Sequence, residues 1–166
     1  MGESESDLLE KTRGALEPIL ERKTGKKLQV PQVGEKTAAF WNNKGSSLAA
    51  LGRREEALAC YDQALAIDPR DAQAWCNKGN ALAALGRREE ALACFDQALA
   101  LDPRSAAAWN NKGAPLNDLG RCEEAINCYD QALAIDPRYA KAWYNKGNAL
   151  AALGRREEAL ACYDQA

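Results

Sequence analysis

The chain has 166 residues, 46% of them hydrophobic, and its 22 Lys and Arg against 24 Asp and Glu leave a net charge of -2 with no histidine. This length supports one core or a short array, and not several independent enzymatic domains. The near-neutral balance gives no general attraction to a nucleic acid backbone. Lack of histidine removes Ser-His-Asp and Cys-His nucleophile systems together with histidine metal sites, and no apolar run approaches the ~20 residues that span a bilayer. A soluble cytoplasmic protein with no membrane or nucleic acid partner is the expectation.

Residues 1–37 stand apart from the rest. Leu8, Leu9, Leu16, Ile19 and Leu20 predict one or two short helices, with Pro18 starting the second or kinking a single one and Gly25 ending it. Lys26 to Lys36 reads as linker. The segment is expected to be a non-repeat cap on the first repeat unit, or an interaction element that docks on the far end of another molecule.

From residue 38 the chain repeats itself. Trp41, Trp75, Trp109 and Trp143 recur every 34 residues, in step with Gly45, Gly79, Gly113 and Gly147, and later with Ala57, Ala91, Ala125 and Ala159. Within a unit, Trp41, Gly45 and Leu48, then Ala57, Tyr61, Ala64 and Leu65, fall at spacings of three and four, which predicts two amphipathic helices. Gly52 and its copies separate the two helices, Glu55 and Glu56 suit the positive start of the second, and Pro69, Pro103 and Pro137 close the complete units. Asp71 and Ser105 are expected N-caps, whereas Tyr139 at the same place is a poor one. The copies are close: Leu51 to Arg70 differs from Leu85 to Arg104 only at Phe95 and Leu101, as recent duplication or design would each produce.

This Trp-Gly-Ala-Pro pattern resembles the tetratricopeptide repeat (TPR) family, with units at 38–71, 72–105, 106–139 and a shortened 140–166. The resemblance implies an all-α, right-handed superhelical solenoid of antiparallel helix pairs, with the first helices lining a concave surface. The last unit stops within its second helix, so the array reads as truncated, with Leu160 and Tyr163 partly uncovered and end-to-end stacking into homo-oligomers an expected consequence.

In the family the concave face is lined by positions two, five, six, nine, twelve and thirteen of each unit. Position six here carries Asn43, Asn77, Asn111 and Asn145, joined by Asn42 and Asn110 at position five and Asn80 and Asn148 at position nine. An amide offers donors and an acceptor to the backbone of an extended peptide, and the ladder resembles the one lining the TPR superhelix of O-GlcNAc transferase. The same amides are equally suited to bracing neighbouring helices. Asn117 and Asp118 of the third unit, beyond Pro115, form a candidate specificity patch. The carboxylate clamp of chaperone-binding TPR proteins is matched in part by Asn80, Asn111 and Lys141, but Cys76 and Asn145 stand where the clamp has cations. Tight binding of a chaperone tail is therefore not expected. Lys44, Lys78, Lys112 and Lys146 sit where the family more often has Leu, and their stems are expected to pack while the ammonium groups reach solvent.

No constellation carries catalysis. The Glu-Glu pairs recur in every unit and read as solvated helix starts. Cys60, Cys94, Cys128 and Cys162 are copies of one site, ~8–10 Å or more apart on packed helices and so beyond disulfide reach. Without a CxxC pair no metal site is expected, and no cofactor is implied. Cys76, on the inferred groove face, is the one candidate reactive thiol. The resulting expectation is a non-enzymatic scaffold or adaptor that binds a protein or peptide in the Asn-rich groove, with structural self-assembly as the alternative. RNA binding of the pentatricopeptide kind is disfavoured by the signature and the mild acidity.

Overall fold

The computed structural model describes residues 36–166, which form eight α-helices and no strand. In chain order these are α1 (Ala38–Ala50), α2 (Arg54–Ile67), α3 (Ala72–Ala84), α4 (Arg88–Leu101), α5 (Ala106–Asp118), α6 (Cys122–Ile135), α7 (Ala140–Ala152) and α8 (Arg156–Tyr163). The expectations for the N-terminal segment fall on residues outside this range, except at its last two positions. Thr37–Ala166 is one compact unit.

Local chemistry sets each helix end. Thr37, Asp71 and Ser105 accept from the backbone N–H three residues on, at 3.1, 3.0 and 3.2 Å, each cap contributing ~1 kcal/mol, whereas Tyr139 makes no such bond. After α1 the chain turns at Gly52, whose φ of 78° places it in the left-handed region. Gly52 N–H then bonds Ala49 C=O at 3.0 Å and Arg53 N–H bonds Leu48 C=O at 2.9 Å, the paired closure that glycine permits at a helix C-terminus. The next helix opens with Glu56 accepting two bonds of 2.6 Å from Arg53, so one glutamate of each pair is an ion-paired helix start.

The two helices of a unit approach closely because a glycine faces an aromatic ring. A Cβ on Gly79 would lie 2.8 Å from Phe95 Cε1, and one on Gly45 would lie 2.6 Å from Tyr61 Cε1. Tyr61, Phe95 and Tyr129 are fully buried, each removing ~150–250 Å² from water, and burial of such a side chain contributes ~1.5–3 kcal/mol. Alanines 57, 91 and 125 have no exposed surface, which keeps the second helices close to this core.

Units join through side chains repeated at every junction. Trp75, Trp109 and Trp143 donate their indole N–H to the carbonyls of Pro69, Pro103 and Pro137 at 2.9, 3.0 and 2.9 Å. The lysine ammonium groups lie over the tryptophan rings of their own units, 5.3–5.6 Å from the ring centres, and do more than reach solvent. Lys78, Lys112 and Lys146 pair with Asp62, Asp96 and Asp130 of the preceding unit at 2.7, 2.6 and 2.6 Å. The backbones of successive first helices approach within 8 Å of one another, whereas those of successive second helices do not. The array is thus tighter along the first helices, which form its inner side. Pro115 lies inside α5, yet the helix runs unbroken to Asp118.

Candidate functional site

The asparagines of the inner side divide into those that hold units together and those left uncommitted. Asn77 Nδ2 donates to Asn42 Oδ1 at 3.0 Å, and Asn145 Nδ2 donates to Asn110 Oδ1 at 2.9 Å. In the middle junction Asn111 Nδ2 meets Cys76 Sγ at 3.9 Å. Position six of one unit therefore reaches position five of the unit before it at each junction. Asn42 and Asn110 are buried, so the incoming amide satisfies an acceptor removed from water. Asn77 Oδ1 also accepts from Gln73 at 2.9 Å, and Asn111 Oδ1 accepts from Asn110 at 3.2 Å.

Position nine shows a second division. Asn148 accepts from the Tyr163 hydroxyl at 2.9 Å, and Ser46 accepts from that of Tyr61 at 3.5 Å. Asn80 sits opposite Phe95, which has no hydroxyl, and its exposed amide makes no hydrogen bond among the described residues. Asn80 lines a hollow of about 310 Å³ with Ser46, Arg54 and Asn77, and a smaller one of about 120 Å³ with Gln73, Cys76 and Asn111. Asn43 and Lys141 are exposed, and their side chains make no hydrogen bond or ion pair among the described residues.

The remaining candidates are paired or buried within the chain. Asp118 Oδ2 accepts from Arg88 Nε at 3.2 Å, so its charge is matched within the chain. Asn117 has its Oδ1 buried without a hydrogen-bond partner. Cys76 is buried and burial pushes its thiol pKa up, against a smaller opposing effect of the Asn111 amide, so the thiolate needed for a nucleophile is disfavoured. All six cysteines are free and buried, in keeping with small apolar side chains.

A larger hollow lies elsewhere, where the second helices diverge. It has about 600 Å³ between α4 and α6, over Trp109 and Lys112. Its cations are already matched: Lys112 pairs with Asp96, and Arg121 with Glu124 at 2.7 Å. A hollow whose cations are already paired and which is built from the repeated junction offers less to a ligand than an uncommitted amide does. Sequence reading missed the arginines at position seventeen, Arg54 and Arg88, which enter the inner side from the second helices. The signal was Arg88 and Asp118 at a separation of 30, one unit less four residues.

Residues 45–86 and 116–154 match the TPR repeat model, and residues 72–105 match the tetratricopeptide repeat model. No curated protein matches the sequence. Among solved structures, MamA 41-end from Desulfovibrio magneticus RS-1 aligns with a TM-score of 0.73 and 21% identity over 79% of this chain and 74% of that one, a likeness of fold. A thermophilic TPR protein of Thermus thermophilus aligns with a TM-score of 0.72 and 26% identity, over 78% of this chain and 72% of its own. The first TPR of Spaghetti (RPAP3), bound to the HSP90 peptide SRMEEVD, aligns with a TM-score of 0.69 and 25% identity, over 75% of this chain and 99% of its own. With these repeat matches across its stacked helix pairs, the chain belongs to the tetratricopeptide repeat family.

Proposed function

We propose that this protein is an interaction scaffold that binds an extended segment of a partner protein along the inner side of its first helices. The observation that carries the reading is Asn80, an exposed amide that bonds no described residue and lines the hollows on both sides of α3. Asn43 adds a second uncommitted amide and Lys141 a cation. Amides of this kind pair with the N–H and C=O of any extended chain, so they supply affinity while neighbouring side chains supply selectivity. Asn77, Asn111 and Asn145 serve the groove by fixing its curvature, with Asn42, Cys76 and Asn110 in turn as their anchors. Support also comes from the peptide-bound relative of 25% identity.

The test is selection of a displayed library of random linear peptides on the full chain and on an Asn43→Ala, Asn80→Ala double variant. Peptides enriched on the parent and lost on the variant support the groove. Failure of any peptide to enrich, or equal enrichment on both proteins, overturns it.

A second reading, self-association, is favoured by Tyr144 and Leu160, which are 55% and 63% exposed on α7 and α8. Sedimentation at two concentrations differing about a hundredfold tests it, since a Kd within that range moves the mass from monomer to dimer. A constant monomer mass counts against it.

A further inference from the structure

Position seventeen, at the start of each second helix, carries Arg54, Arg88, Cys122 and Arg156. In the second unit its reach is visible: the Arg88 guanidinium crosses to position thirteen of the following first helix and holds the Asp118 carboxylate at 3.2 Å. One unit earlier the residue at position thirteen is Ala84. Arg54 is half-buried and makes no hydrogen bond or ion pair with any described residue, and it borders the hollow of about 310 Å³ together with Ser46, Asn77, Asn80 and Ala84. No carboxylate lines that hollow. The same pair of repeat positions thus occurs twice, once as an arginine held by the chain's own aspartate and once as an arginine that shares a hollow with an alanine.

We infer that the hollow beside Arg54 is a carboxylate site that takes one Asp or Glu side chain of the bound peptide. The inference rests on the groove reading above and names the chemistry of its occupant. A guanidinium presents its donors as a planar fork matched to a carboxylate, and a half-buried position limits screening by water. Asn80 stands at the same hollow, and its amide N–H makes no hydrogen bond to any described residue. Those two side chains supply the charge and one further hydrogen bond. Arg54 lies outside the positions of the family's chaperone-tail clamp, where this chain has Cys76 and Asn145 in place of cations.

The peptide pool selected on the parent chain tests the inference. An Asp or Glu is expected at one fixed place in the enriched sequences, and its change to the matching amide is expected to weaken binding about tenfold by fluorescence anisotropy. Arg54→Gln removes the fork, and Ala84→Asp supplies an internal carboxylate copied from the Arg88–Asp118 pair. In either variant, shown folded by circular dichroism, the same peptide change is expected to cost less than about twofold. A pool with no fixed acidic place, or an acid-to-amide loss as large in both variants as in the parent, overturns the carboxylate site and leaves the groove standing. A pool that does not enrich at all overturns both.

Discussion

Lys112 Nζ lies 2.6 Å from Asp96 Oδ1 across the junction of the second and third units, and 5.6 Å from the centre of the Trp109 ring in its own unit. The same arrangement recurs at Lys78 and Lys146, so one lysine ties each first helix to the second helix before it. The aspartate side chain is 57% exposed and the lysine 23%, which limits the ion pair to ~0.5–1 kcal/mol, with a similar contribution from the ring. Lys112→Ala is expected to lower stability by about 1–2 kcal/mol in urea denaturation, and Asp96→Asn by no more than about 1 kcal/mol. A double-mutant cycle with no coupling between the two positions would refute the tie.

The amide braces make a graded prediction. Asn145→Ala leaves the Oδ1 of Asn110, a residue only 1% exposed, without its donor, at a cost of ~1–3 kcal/mol. Asn77→Ala strands Asn42, which is 9% exposed and nearer to water, so the cost is expected to be smaller, ~0.5–1.5 kcal/mol. Chemical denaturation followed by circular dichroism measures both, and the reverse order would argue against bracing as the role of these amides.

Most of the fold was legible because the constraints that make it are local and repeated. Trp, Gly, Ala and Pro at a 34-residue period each answer to one packing event, such as Gly79 beneath Phe95 or Trp75 on the Pro69 carbonyl. The candidate site was less legible. A ladder of asparagines looks uniform in sequence, yet each amide is committed or not according to a partner 15 or 35 residues away, as with Tyr163 for Asn148 and Asn42 for Asn77. Arg54 was hidden for the same reason: its significance comes from what Ala84 lacks beside it.

The third unit carries two substitutions that ought to be reversible at a gain. Pro115 cannot donate to the Asn111 carbonyl, and Asn117 has a buried Oδ1 without a partner where the neighbouring units have alanine. Pro115→Ala is expected to stabilise by ~1–3 kcal/mol and Asn117→Ala by ~1 kcal/mol, through the restored helix bond and the removed desolvated acceptor. Either change lowering the urea midpoint would show that the unit depends on its departure from the repeat.

Glycine at the helix crossing is a matter of space, and glycine at the turn a matter of backbone. Gly79→Ala drives a Cβ into Phe95 and is expected to cost ~1–3 kcal/mol, part of which Phe95→Leu should restore. Gly86→Ala, at a φ of 77°, is expected to cost ~1 kcal/mol, and Phe95→Leu should give no relief there. Comparing the two double variants with their parents separates the causes, and equal rescue at both glycines would contradict this division.

The buried thiols make stability fall in alkali. Burial pushes Cys94, Cys128 and Cys162 above the ordinary thiol pKa, and Tyr129 is likewise raised by burial. Below the unfolded thiol value of ~8.5 both states hold the proton and the contribution of neutral burial is fully present. Above it the unfolded chain releases protons that the folded chain retains, so stability declines as pH rises toward the folded value. Urea midpoints at about pH 7 and about pH 9.5 are therefore expected to differ more in the parent than in a Cys94→Ala, Cys128→Ala variant, since the variant has lost two of the titrating groups. An alkaline decline of the same size in both proteins would assign the effect to groups other than these thiols.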